Sequence, residues 1–159
     1  MKLFVFFLGA LISFGASAFE IDGLKTGLSR EKAISQLETL NLKITSISDN
    51  NVVAEASGRL YSLNFCNGSL VNVQKNLEPS FDTFVDLVSR FKSLYGAPLS
   101  IDPQLPNPTS YAMGYDLSVS WRVGRELVTA EHVSFKSNSQ TSVTYDAPNL
   151  CFQHPQLSK

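Results

Sequence analysis

Two cysteines, Cys66 and Cys151, and two histidines, His132 and His154, are the scarce reactive side chains of this sequence, and their spacing limits the chemistry they can support. A metal site needs several ligands at defined intervals, and no His-Glu-x-x-His or comparable cluster occurs. His132, beside Glu131, reads as a strand residue, and His154 lies in the tail next to Pro155. The cysteines lack the Cys-x-x-Cys spacing of a redox pair.

Other catalytic signatures are also missing. No Gly-x-Ser-x-Gly presents a serine nucleophile, and neither Gly-x-Gly-x-x-Gly nor a P-loop cradles phosphate. Carboxylates for acid–base or glycoside chemistry are available at Asp22, Asp49, Glu55, Asp82, Asp86, Asp102, Asp116, Glu126, Glu131 and Asp146. Spacing alone pairs none of them across a cleft. No catalytic, cofactor-binding or metal-ligating residue is assigned, and an enzyme is not expected.

The first 18 residues, MKLFVFFLGALISFGASA, join a lysine, an apolar run and an Ala-Ser-Ala cleavage signal. That pattern predicts a cleaved leader over residues 1–18 and an exported chain over residues 19–159. Phe19 would then be the first mature residue, where a lipid-anchored protein would carry cysteine, so no membrane anchor is expected. In an oxidising compartment the default for two cysteines is one disulfide. A Cys66–Cys151 bridge would pin the tail onto a mid-chain strand and stabilise the fold by roughly 4 to 5 kcal/mol.

The charge narrows the partner. The whole chain carries −1, and loss of Lys2 with the leader leaves −2 over 141 residues. Such a surface favours neither nucleic acid nor an anionic membrane.

The elements that position these residues follow from periodicity. Ser29 caps a helix over residues 30–40, with Ala33, Leu37 and Leu40 on one stripe. Short strands follow at 43–47, 52–57, 60–65 and 70–76, and Asn67-Gly68 marks a tight hairpin. That turn accounts for Asn67-Gly68-Ser69 better than its match to a glycosylation sequon does. A second helix opens at Pro79-Ser80, carries Phe84, Leu87, Val88, Phe91, Leu94 and Tyr95, and stops at Gly96.

Residues 97–110 hold four of the seven prolines and read as an extended loop. Asp102, Leu105 and Asn107 in that loop are the candidate partner contacts. Strict alternation from Tyr111 to Val123 predicts a long strand, followed by strands at 127–135 and 141–145 and an irregular tail from residue 147.

Leu24-Lys25-Thr26-Gly27-Leu28-Ser29, leading into Glu31-Lys32-Ala33-Ile34-Ser35-Gln36-Leu37, resembles the opening of α-β-β-β units in β-lactamase-inhibitor-protein-like domains and the related BamE-type lipoproteins. Leu94-Tyr95-Gly96-Ala97-Pro98 is similar to the close of their helices. The resemblance implies helices on one face of an antiparallel sheet and, by analogy, protein binding. It differs from the BamE type in lacking a lipidated cysteine, and from the inhibitors in a bridge that joins residues 24–77 to the part beyond residue 80.

The expected class is therefore α+β: an antiparallel sheet with two main helices packed on one face, ordered as two α-β-β-β halves. The expected function is a periplasmic or secreted protein-binding module of inhibitor, immunity or envelope-accessory type, with another envelope or extracellular protein as partner. The alternative is an envelope domain that binds a small molecule or glycan, or hydrolyses one with carboxylates.

Overall fold

A computed structural model describes residues 20–104, 114–135, 138–149 and 151. The predicted leader, Leu105 and Asn107 lie outside the described residues. Strands β1 (Glu20–Ile21) and β2 (Leu24–Lys25) form a small hairpin before helix α1 (Arg30–Thr39). Four strands follow: β3 (Lys43–Ile47), β4 (Asn51–Ala56), β5 (Arg59–Cys66) and β6 (Ser69–Leu77). Helix α2 (Phe81–Tyr95) leads to β7 (Ser100–Gln104), β8 (Gly114–Val123), β9 (Glu126–Phe135) and β10 (Asn138–Asp146).

Local rules explain the boundaries. Ser29 Oγ accepts from the Lys32 amide at 3.4 Å, and Ser80 Oγ accepts from the Thr83 amide at 3.0 Å, so each helix has its N-cap. Gly96, at φ 82°, ends α2 in a backbone region costly for other residues. The two-residue turns Ser57-Gly58 and Asn67-Gly68 have positive φ at both positions, which matches the twist of paired strands.

The eight longer strands form one antiparallel sheet in the order β3-β4-β5-β6-β10-β9-β8-β7. This corrects the expected α+β class. Strands take 55% and helices 21% of the described residues, so the molecule is mostly β rather than a sheet balanced by helices. Each helix is followed by four strands, the additional one in the second half being β7, and both sets run into a single sheet. Part of the difference lies in the Pro-rich stretch, where Ser100–Gln104 pairs with β8. Pro103 has no amide hydrogen, but β7 ends the strand order, where a missing donor breaks no ladder.

The register separates the two faces of the sheet. Val52, Leu63, Val73, Tyr145, Val128 and Trp121 stand opposite one another across six strands on the helix side. The apolar core there falls into two clusters. One joins Ala33 and Leu37 of α1 to Tyr61, Leu63, Phe65 and Leu70; the other joins Phe84 and Phe91 of α2 to Val119, Trp121, Val128 and Val143. Phe91 meets Trp121 edge-on at 5.5 Å between ring centroids, and Trp121 Nε1 donates to the Gly96 carbonyl at 3.2 Å. Ile21 packs against both clusters.

The small hairpin is tied down by charge as well as packing. Asp22 Oδ2 accepts from Tyr61 Oη at 2.6 Å and from Lys75 Nζ at 2.7 Å. Burial raises the Asp22 carboxyl, but these two hydrogen bonds together with the charges of Lys75 and Arg59 outweigh it and hold the group below its ordinary range.

Candidate functional site: the helix-free sheet face

Successive strand residues point to opposite faces, so every apolar position turned to the helices leaves a neighbour turned away from them. On that second face Val53, Ser62, Gln74, Thr144, Thr129, Ser120 and Ser100 stand in register across seven strands. All but one are polar, and most are small. The alternating polar residues of the sequence therefore form a single surface.

Side-chain hydrogen bonds brace this surface across the strands. Asn51 Nδ2 donates to Asn64 Oδ1 at 2.8 Å, Asn64 Nδ2 to Asn72 Oδ1 at 2.9 Å, and Asn72 Nδ2 to Asp146 Oδ1 at 2.5 Å. The ladder crosses β4, β5, β6 and β10 and ends on a carboxylate, where the amide dipoles all point the favourable way. Further out, the Ser120 and Thr129 hydroxyls share a hydrogen bond at 2.9 Å, and Gln140 Nε2 donates to Asn76 Oδ1 at 3.3 Å.

Three carboxylates meet near the other end. Asp102, Ser118, Glu131 and Ser142 are cross-strand neighbours on this face, with Asp116 one step along β8 between Gln104 and Val133. Burial raises the Asp116 carboxyl, and the charge of Asp102 adds to the rise. Glu131 is raised by burial and by Asp116, against a smaller opposing hydrogen bond from Ser142 Oγ at 3.3 Å. Burial and a neighbouring like charge thus make the Asp116 and Glu131 carboxyls hold their protons more tightly.

Of the residues singled out from the sequence, Asp102 lies on β7 in this row, half-buried, and not in a loop. Cys66 and Cys151 are bonded to each other, with Cα atoms 5.6 Å apart. His132 is buried on the helix side: its Nδ1 is 2.8 Å from Thr141 Oγ1, and Phe81, Phe84 and Tyr115 surround its ring. Burial lowers its pKa. Asp116, Glu131 and the asparagine ladder were not singled out from the sequence, although alternation of polar residues in the strands is the signal that exposes them.

Among the described residues no three of His, Cys, Asp or Glu are grouped to hold a metal ion, and no helix is long and apolar enough to cross a membrane. No protein-family model, curated protein or solved structure matches the chain.

Proposed function

We propose that this chain is a protein-binding module that holds its partner on the helix-free face of the sheet, as an inhibitor, immunity factor or assembly accessory would. The observation that carries the reading is the face itself: a polar surface braced by cross-strand side-chain hydrogen bonds, with rows that run from β4 to β7. Eight strands at about 4.8 Å spacing are about 34 Å across, and eight residues along a central strand cover about 26 Å. That is about 880 Å², enough for the ~800 Å² that each side of a standard protein interface buries.

The setting supports the reading. A leader-like N-terminus and a Cys66–Cys151 bridge belong together in an oxidising compartment, so we place the module in the periplasm or outside the cell. The resemblance around residues 24–37 adds protein binding by analogy.

The test is affinity capture from envelope and secreted fractions with the exported protein and two sets of variants. Gln74→Arg and Thr129→Arg place bulk at the middle of the face, whereas Ser93→Arg places it on the exposed side of α2. The expected result is one partner retained by the parent chain and by Ser93→Arg but lost from both face variants, with all three chains showing unchanged thermal unfolding. Recovery of no reproducible partner, or retention by the face variants, would overturn the proposal.

A further inference from the structure

We propose that His132 is an acid-sensitive latch on the start of α2: the ring is neutral while the helix is docked, and its protonation releases the first turn of α2 from the sheet. The latch lies on the helix side of the sheet and is independent of what the opposite face binds.

A relay of hydrogen bonds carries the proposal. Thr141 Oγ1 donates to the Ser80 carbonyl at 3.0 Å, and the same carbonyl accepts from the Phe84 amide at 3.3 Å, the first backbone bond of α2. One residue earlier, Ser139 Oγ donates to the Pro79 carbonyl at 2.6 Å. Strand β10 therefore holds the carbonyls at which α2 begins. The Thr141 hydroxyl has a single hydrogen, and Ser80 takes it. The 2.8 Å contact between Thr141 Oγ1 and His132 Nδ1 is then a bond that the imidazole donates. Docking of α2 thus selects the neutral ring with its proton on Nδ1 and none on Nε2.

A second proton would place a cation in an apolar setting. His132 is 2% exposed, and the rings of Phe81, Phe84 and Tyr115 surround it at centroid distances of 5.6, 6.0 and 5.8 Å. Aromatic faces return part of the desolvation cost of a cation, but the ring also sits beside the amino-terminal end of α2, where the helix dipole is itself positive. Of the titratable groups on the packed elements, Tyr115 touches the ring, Asp82 and Asp86 of α2 are exposed, and Asp116 and Glu131 stand on the opposite face of the sheet. Arg90, Lys92 and Tyr95 of α2, Arg122 of β8, Glu126 of β9, and Tyr145 and Asp146 of β10 lie toward the far ends of their elements. Burial accordingly lowers the pKa of the ring. The stability that depends on the neutral ring is therefore full above the ordinary histidine value of about 6.5 and is lost as pH falls through the lower folded value. Phe81, already 46% exposed, is the side of the enclosure that can give way.

The test is ¹⁵N NMR of the imidazole in the intact exported chain, combined with amide exchange at about pH 7 and about pH 5. At neutral pH the His132 ring should carry its proton on Nδ1, and it should titrate below a histidine of the urea-unfolded chain. At acid pH the Phe84 amide should lose protection, after correction for intrinsic exchange, while the Leu37 amide in α1 keeps its own. His132→Asn retains a donor in the place of Nδ1 and does not titrate, so its Phe84 amide should stay protected at both pH values. A proton on Nε2 in place of Nδ1, a titration midpoint at or above that of the unfolded chain, or equal acid loss at Phe84 and Leu37 would overturn the inference. Equal acid loss at Phe84 in His132→Asn would do the same. The ring measurements use the unsubstituted chain and decide the matter even where His132→Asn fails to fold.

Discussion

Removing the Cys66–Cys151 bridge is the perturbation whose size can be worked most directly from the structure. The bridge spans a sequence separation of 85 residues. Loop closure of that length removes about 15 cal/mol/K from the unfolded chain, or about 4.6 kcal/mol at 25 °C. Cys66 is 8% exposed, so Cys66→Ala avoids burying a hydroxyl, whereas Cys151 is exposed and tolerates Ser. With a urea m-value of about 1.5–2 kcal/mol/M, the double variant should lose about 2–3 M from its unfolding midpoint without a change in the native circular dichroism spectrum. Reducing the parent chain should produce the same loss, because an effect on the unfolded chain does not depend on which atoms replace the sulfurs. A midpoint drop below about 0.5 M, or a large disagreement between reduction and substitution, would refute the entropic account.

The carboxyl groups of the helix-free face set a pH dependence of opposite sign to that of Asp22. Asp116 and Glu131 have raised folded-state pKa values, so the stability they contribute is full below the unfolded carboxyl range and is lost as pH rises through the folded values. Asp116→Asn/Glu131→Gln should therefore unfold at a higher temperature than the parent chain at neutral pH, with the gap closing toward about pH 4; a gap independent of pH counts against the repulsion. The lowered Asp22 carboxyl contributes stability above the ordinary range that is lost as pH falls through its folded value. Asp22→Asn should cost about 1–2 kcal/mol in urea unfolding at neutral pH, discounted for a side chain that is 35% exposed, and no cost would show that Lys75 and Tyr61 gain nothing from it. Phe91→Ala empties the contact with Trp121 and should cost about 3–5 kcal/mol, with a change in Trp121 fluorescence; retention of both values would place Phe91 outside the core.

Much of the local structure was legible because single residues decide it. Ser29 and Ser80 cap the helices, Gly96 ends the second, and alternation around Trp121 marks the long strand. The class was not legible in the same way. Helical stripes give strong signals, but the extent of a sheet depends on pairing between distant segments, and β7 hides behind a proline tolerated only because the strand ends the sheet order. Asp102 was named for its place in a Pro-rich stretch and lies on the candidate face for a different reason, its register opposite Ser118. Asp116 and Glu131 were visible only as two carboxylates among many, because no periodicity within one strand reveals which residue stands beside it in the next.

The seam between β6 and β10 is the long-range join of the sheet. Within each set of four strands, neighbours are consecutive in the chain, and turns such as Asn67-Gly68 bring them together across two residues. At the seam, the Asn72–Asp146 hydrogen bond joins positions 74 residues apart. Closing so long a loop costs conformational entropy before any contact returns it, so each meander is expected to collapse on its own helix before the two dock, an order that pulsed hydrogen exchange on β6 and β10 would check. Cys66 ends β5 just ahead of β6 and Cys151 follows β10, so the bridge crosses the same seam. In that order the pair would oxidise late, and a chain stalled with one half formed would display two free thiols beside an unpaired β6 edge.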